Sequence, residues 1–363
     1  MKADFATRAP RHAFEKNGND DRPFVSVVVP AFNEAELIAR NLAQLCEYLR
    51  TLEETYRWEI VVVNDGSTDA TGEIAERFAE AHTEVRVVHH PVNLNLGQAL
   101  RTGFTHSCGG YIVTIDLDLS YSPDHISRLL ARMTQTHAQI VIASPYMKGG
   151  RHSNVPWLRL VLSIYGNRYL SFMSQTRLAT LTGMVRAYEG KFARGLILKA
   201  RGMEVNAEII MKAQMLNARI EEVPGHLHWN EPNTGPVLRK SHMKILRNVW
   251  QTLVLGFMMR PAVLFFLPAL LLLALSCGVA GWSWIETHSF TRALELWNHR
   301  ASTSVLSMLL LFGLGVVTLQ IKRYFEELFY NANYRRRAAE KYAKGDSDVA
   351  MMMMNNYSTM TLV

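Results

Sequence analysis

The chain has 363 residues, of which 48% are hydrophobic and 20% charged, and its formal net charge is +7. That is enough apolar sequence for one full α/β core with a surplus, and the surplus is concentrated toward the C-terminus. The excess of positive charge does not read as a nucleic-acid surface, because basic residues are scattered through the first part and cluster only beside the late apolar runs. Anionic lipid head groups are the better partner. Cys46, Cys108 and Cys277 lie far apart without CxxC or Cys/His spacing, which excludes a zinc-ribbon or disulfide-framework reading and suits a reduced cytosolic compartment.

In chain order, residues 1–22 are polar and of mixed charge with no apolar h-region, so they read as a flexible arm without a secretory signal. A domain over 23–235 follows. Runs rich in β-branched residues at 24–29, 58–63, 85–88, 111–115 and 139–143 predict strands, and the segments 34–52, 69–82, 96–106 and 124–136 have helical periodicity. Repeated βα units imply a mostly parallel sheet covered on both faces, with ligands bound beyond the carboxyl ends of its strands.

Residues 236–260 carry Leu246, Val249, Trp250, Leu253, Val254 and Phe257 at helical spacing among basic residues, which predicts an amphipathic interfacial helix. A transmembrane hairpin over 261–321 comes next, its spans at 261–284 and 301–321 having no charged side chain, with Pro268 a kink point in the first. At roughly 1.5 Å per residue each crosses a hydrocarbon layer of ~30 Å. Arg239, Lys240, Lys244, Arg247 and Arg260 precede the first span, and Lys322, Arg323, Arg335, Arg336 and Arg337 follow the second. Glu286 and Glu295 balance Arg292 and Arg300 in the short connection. The positive-inside rule then places both termini and the α/β domain in the cytosol. A basic cytosolic helix is expected over 322–344 and a disordered, Met-rich tail over 345–363.

The loops after the strands hold the chemistry. The first strand runs into Pro30-Ala-Phe32-Asn33-Glu34 and the second into Val63-Asn64-Asp65-Gly66-Ser67-Thr68-Asp69. Asp65 can accept hydrogen bonds from a base or ribose. The plainer readings also stand here: Asn33 or Ser67 as a helix cap and Asp-Gly as an ordinary turn. The fourth strand leads into Asp116-Leu117-Asp118-Leu119-Ser120. Carboxylates at i and i+2 of an extended segment share a side and repel unless a cation lies between them. A hard divalent ion, Mg²⁺ or Mn²⁺, shared with a diphosphate would satisfy both.

Taken in order, Val-Pro-Ala-Phe-Asn-Glu (29–34), Val-Asn-Asp-Gly-Ser-Thr-Asp (63–69), Asn95-Leu-Gly-Gln-Ala-Leu-Arg-Thr-Gly103, Asp116-Leu-Asp118 and Val185-Arg-Ala-Tyr188 resemble the family 2 glycosyltransferases of GT-A fold, a Rossmann-like nucleotide-sugar-binding architecture. Within them the match is to the dolichol-phosphate mannose synthase group and its bacterial polyprenyl-phosphate relatives. The resemblance implies that Pro30, Phe32, Glu34, Val63 and Asp65 hold the base and ribose, that Asp116 and Asp118 arrange metal and diphosphate as the catalytic pair, and that Leu117 and Ser120 line the nucleotide-sugar site. Lipid-phosphate binding is expected of Arg159 and Arg186, which stand near or at family arginines, and of Arg239, Lys240 and Lys244 close to the membrane, in a two-span protein of a bacterial inner membrane. Asn206 and Glu208 match an acidic pair of the family and read equally as helix surface. Ser120 stands where the family commonly has Gln, Ser144-Pro145-Tyr146 replaces its Ser-Arg-Tyr, and Thr182-Gly-Met-Val-Arg186 replaces its Thr-Ser-Gly-Phe-Arg. Proline does not replace bidentate guanidinium recognition of phosphate.

The expected reaction is inverting transfer of one hexose from a nucleotide-sugar, GDP-mannose or a UDP-hexose, to undecaprenyl or dolichyl phosphate. A processive polysaccharide synthase shares the early motifs but typically carries Gln-x-x-Arg-Trp and further spans. A catalytically impaired membrane scaffold that binds nucleotide-sugar is the alternative from a different class. Self-association as a homo-oligomer is left open.

Overall fold

The computed structural model describes residues 20–229, 250, 252–254, 256–257 and 260–342. Arg239, Lys240, Lys244, Leu246, Val249 and the tail over 345–363 lie outside the described residues, as does nearly all of the N-terminal arm. The chain divides into two compact units, Met1–Gly256 and Phe257–Val363.

In the first unit β1 (Phe24–Ala31), β2 (Arg57–Asn64), β3 (Val85–His89) and β4 (Tyr111–Thr114) alternate with α1 (Ile38–Arg50), α2 (Thr71–Ala81) and α3 (Leu96–His106). The valine and isoleucine runs of β1 and β2 are buried on both faces, as continuous apolar strands in a parallel sheet must be. α1 buries Ile38, Asn41, Leu42, Leu45, Cys46 and Leu49, a helical stripe that covers one face. α4 (His125–Thr136) does the same with Ile126, Leu129, Leu130 and Met133.

After β5 (Ile140–Ser144) come β6 (Arg151–Ser153), α5 (Trp157–Ser174), β7 (Arg186–Glu189), α6 (Gly190–Gly195), α7 (Val205–Met215), β8 (Ile220–Pro224) and β9 (His226–His228). The main sheet has seven strands in the order β3-β2-β1-β4-β7-β5-β8, and β6 pairs with β9 in a second, small sheet. The run of parallel pairing expected from the βα repeats holds from β3 to β4 and between β5 and β8. One element departs from it: β7, which contains most of the Val185–Tyr188 motif, inserts antiparallel between β4 and β5. Its residues, Arg-Ala-Tyr-Glu, contain no apolar run to announce a strand.

Away from the strand ends that carry the motifs, Ser26 Oγ donates to Glu59 (2.5 Å), Cys108 N–H donates to the same carboxylate (2.8 Å), and Arg86 pairs with it at 2.8 Å. Ser26, Glu59 and Arg86 are buried, and they lock the starts of β1, β2 and β3 together.

In the second unit α8 (Pro261–Thr287) and α9 (Phe290–Tyr342) form an antiparallel pair. Phe266 meets Phe312 with ring centroids 5.2 Å apart, and Trp297 Nε1 donates to the Ser276 carbonyl at 3.0 Å. Both helices contain a segment long and apolar enough to cross a membrane, Ala262–Thr287 and Ala301–Tyr324, and most of each is uncovered by protein. The short connection expected between the two apolar stretches is tighter here. Only residues 288 and 289 lie between the helices, so Arg292, Glu295 and Arg300 belong to the first turns of α9, and that helix continues unbroken past the second span to Tyr342.

Candidate active site

The loops after β1 and β2 are stitched together by their own polar side chains. Asn33, in the left-handed region at φ 55°, donates its N–H to Ser67 Oγ (3.0 Å) and accepts from Thr68 N–H on Oδ1 (2.9 Å). Glu34 N–H donates to Thr71 Oγ1 (2.8 Å), and Ala35 N–H to Asp69 Oδ2 (3.2 Å). Asn33 and Ser67, read as helix caps, therefore serve another purpose: with Thr68, Asp69 and Thr71 they fix the turn that presents Glu34.

Asp65 closes β2 and is 4% exposed. Its Oδ1 accepts from His90 Nδ1 (2.6 Å) and from Leu94 N–H (3.0 Å), and His90 Nε2 lies 2.9 Å from the Thr102 hydroxyl of α3. Both of these bonds fall on Oδ1. Gly66, at φ 66°, leaves no room for a side chain, since a Cβ there would stand 2.2 Å from the Val92 carbonyl carbon. The β3–α3 connection thus lies directly on the Asp65-Gly66 turn. Sequence reading missed His90, whose only signal is a histidine immediately after a buried strand.

The segment after β4 is a tight turn. Leu119 N–H donates to the Asp116 carbonyl (3.1 Å) with Leu119 at φ 49°, and Ser120 N–H donates to Asp118 Oδ1 (2.9 Å). Asn41 of α1 anchors it by donating from Nδ2 to the Leu117 carbonyl (2.8 Å), and His228 N–H of β9 donates to the Ser120 carbonyl (2.8 Å). Asp116 and Asp118 keep some accessible surface. Burial, and then the Asp118 charge, push the Asp116 carboxyl up to about 7. Glu34 is raised to about 8, first by burial and then by Asp118, Asp116 and Asp69. Its Oε2 is buried without a hydrogen-bond partner.

The charges of Asp116 and Asp118 thus act on Glu34 from the neighbouring loop, and a cation would relieve that repulsion. Among the described residues no group of three or more His, Cys, Asp or Glu side chains is arranged to hold a metal by itself. The donor set fits an ion that completes its shell with diphosphate oxygens.

The other expected residues are placed unevenly. Pro30 is half-buried and Phe32 is 42% exposed at the mouth, while the Val63 and Leu117 side chains lie in the interior and offer only main-chain atoms. Arg159 is exposed and stacks on the Trp229 ring, 4.2 Å from its centroid. Arg186 is corrected as a surface phosphate ligand: it is 0% exposed, and its guanidinium donates to the carbonyls of Leu181 (2.6 Å) and Asn206 (2.8 Å). At the altered Ser-Pro-Tyr, the Ser144 hydroxyl bonds that of Thr180 (2.7 Å) and Tyr146 donates to Ser163 Oγ (2.7 Å). Glu208 is buried rather than on a helix surface.

A mostly parallel α/β sheet whose first, second and fourth strands end in such loops is a fold of GT-A type. Comparison with known proteins narrows that class. The profile of glycosyl transferase family 2 matches residues 26–194. The chain is 32% identical over 208 residues to the polyprenol monophosphomannose synthase of Mycolicibacterium smegmatis, covering 54% of this chain and 75% of that one. It is 26% identical over 233 residues to the dolichyl-phosphate beta-glucosyltransferase ALG5A of Trichomonas vaginalis, covering 59% and 71%. Among solved structures it is similar to glucosyl-3-phosphoglycerate synthase from Mycobacterium tuberculosis in complex with Mn²⁺ and UDP, with 21% identity and a TM-score of 0.47 over 64% of this chain and 80% of that one. The chain belongs to the family 2 glycosyltransferases, and it is an enzyme of that class.

Proposed function

We propose that this glycosyltransferase moves a single hexose from a nucleotide-sugar, GDP-mannose or a UDP-hexose, to polyprenyl phosphate at the cytosolic face of a membrane, with inversion at the anomeric carbon. The observation that carries the reading is the approach of Glu34 to Asp116 and Asp118 past the strand ends, in a chain that continues into two apolar helices. The relatives named for polyprenol and dolichyl phosphate support the acceptor class.

In this reading Phe32 offers an apolar surface to the base, and Asp65 accepts a donor from base or ribose on Oδ2. Asp116 and Asp118 would hold Mg²⁺ or Mn²⁺ at the donor diphosphate. When bound, the ion neutralises the charge that grows on the leaving nucleoside diphosphate. A phosphate monoester with a second pKa of about 6 is already anionic at neutral pH, so the acceptor oxygen forms its bond to the anomeric carbon as the sugar–diphosphate bond breaks, without a dedicated base. The protein's share is alignment.

α5 exposes Trp157, Val161, Tyr165 and Phe172, and Tyr169 of the same helix donates to the Leu253 carbonyl (3.3 Å) in the segment that exposes Trp250, Leu253 and Val254. These apolar surfaces suit a lipid acceptor. Arg159, on the same helix and stacked on Trp229, offers a cation for its phosphate, with Arg239, Lys240 and Lys244 nearer the first apolar helix in sequence.

The test is a panel of nucleotide-sugars offered to the full chain in liposomes containing undecaprenyl or dolichyl phosphate, with the lipid product identified by mass spectrometry. A glycosyl-phosphoryl-polyprenol is the expected product. Nucleotide-sugar binding with no turnover on any lipid phosphate would favour the scaffold, and a polymeric product would favour a polysaccharide synthase.

A further inference from the structure

Glu208, on α7, is 7% exposed and sits in a network that the donor site as described does not use. Its carboxylate accepts from two successive backbone N–H groups, Lys199 (2.9 Å to Oε1) and Ala200 (2.8 Å to Oε2), and pairs with Lys212 one turn along the helix at 2.5 Å. Lys212, also 7% exposed, reaches on to the Ile197 carbonyl. From the other side Arg101 of α3 donates to the carbonyls of Ala200 (2.7 Å) and Leu198 (3.3 Å). The carbonyls of Ile197, Leu198 and Ala200 and the N–H groups of Lys199 and Ala200 are thus held by charged side chains. Charged partners make the stronger hydrogen bonds, and the segment has little freedom left.

What this segment touches gives it a consequence. The Arg201 carbonyl accepts from Gly97 N–H at 2.6 Å, which occupies a first-turn donor of α3 that would otherwise be open to an anion. A Cβ at Gly97 would stand 2.1 Å from the Ala200 carbonyl oxygen, so backbone lies on backbone there and only glycine fits. Two residues before Gly97, Asn95 sits at φ 68°, and one further back Leu94 gives its N–H to Asp65 Oδ1 (3.0 Å). The contacts run without a break from Glu208 through 199–201 and Gly97 to the Asp65 carboxylate.

We propose that Glu208 is a positioning residue for the donor nucleotide: with Lys212 and Arg101 it clamps the segment 197–201 onto the first turn of α3, and so sets the β3–α3 connection that holds Asp65 in register. The inference rests on the reading of Asp65 as a nucleotide ligand. Glu208 itself touches neither substrate nor diphosphate, and its influence is on donor binding and not on the lipid.

The experiment compares Glu208→Ala, Glu208→Gln and Gly97→Ala in the full chain, reading Kd for UDP and GDP with Mn²⁺ by calorimetry, apparent KM for donor and for polyprenyl phosphate, and Tm. Gly97→Ala pushes the clamped segment away without touching the Glu208–Lys212 pair, so it tests the same path if Glu208→Ala fails to fold. Loss of register is expected to raise nucleotide Kd and donor KM together, about tenfold or more, with the lipid KM unchanged. Glu208→Gln, which keeps one accepting oxygen, should fall between wild type and Glu208→Ala. Unchanged nucleotide Kd in Glu208→Gln and Gly97→Ala beside a lowered Tm would overturn the inference and leave Glu208 a purely structural cap. Failure of the unaltered protein to bind either nucleotide would overturn the donor-site reading as well.

Discussion

His90 Nδ1 lies 2.6 Å from Asp65 Oδ1, so a fully buried imidazole is the support of the carboxylate that ends β2. The second nitrogen, 2.9 Å from the Thr102 hydroxyl, carries the connection into α3. A carboxylate that accepts here requires the proton on Nδ1. His90→Ala should therefore weaken nucleotide binding by releasing Asp65, and Asp65→Ala should do so directly, by about 1–3 kcal/mol if a charged hydrogen bond to base or ribose is lost. Calorimetry that finds nucleotide affinity unchanged in Asp65→Ala would return Asp65 to the turn.

Asp118→Asn removes one of three mutually repelling carboxylates. Activity should drop on the order of a hundredfold or more, since stabilisation of the leaving diphosphate is lost. Folding should not suffer, because the same change relieves repulsion on Glu34 and Asp116. Radiolabelled transfer with and without chelator, together with the Tm, checks both halves; full activity of the variant in chelator would sink the metal assignment.

The raised carboxyls give a pH dependence whose sign can be worked out. With folded values near 8 for Glu34 and 7 for Asp116, against about 4 in an unfolded chain, the folded state binds more protons between those limits. Stability without a divalent ion should then fall as pH rises from about 4 toward 8. Ion binding favours the ionised groups, so the Tm gain from Mn²⁺ should grow over the same range. Thermal unfolding of the full chain in detergent at a series of pH values measures this. A Mn²⁺ shift independent of pH would contradict it.

Arg239, Lys240 and Lys244 precede the first span, and replacing all three by Gln should raise the apparent KM for polyprenyl phosphate far more than that for the donor. The contribution is about 1 kcal/mol per charge if they meet an anionic surface. Arg159→Ala should shift the same constant. Equal transfer to water-soluble alcohols, with no change in the triple variant, would remove the lipid from the reading.

Glu59→Ala provides the contrast at the far end of the sheet. It takes a buried partner from Arg86 and from the Ser26 and Cys108 donors, and should cost about 3–5 kcal/mol of stability. In the protein that remains folded, both KM values should match wild type. A selective change in either would show that the starts of the strands communicate with the loops at their other ends.

The elements that local pattern specifies were legible in the amino-acid order. Strands β1 to β5 follow from apolar runs of the right length, α1 and α4 from stripes at helical spacing, and the two candidate spans from uncharged stretches. The Asp116, Asp118 and Asp65 loops were legible for the same reason, since a motif directly after a strand is a local fact. Tertiary structure alone decided the rest. Four-residue β7 becomes a strand only because β4 and β5 bond to both of its edges, and that pairing buries the Arg186 side chain. Asp65 meets His90 across 25 positions and Glu34 meets Asp118 across the space between two loops. Glu208 reaches Asp65 only through Ala200, Gly97 and Leu94. Periodicity reports which face of an element is apolar, because that depends on neighbours three or four residues away; which polar group answers which depends on how the chain returns, and only the folded sheet fixes that.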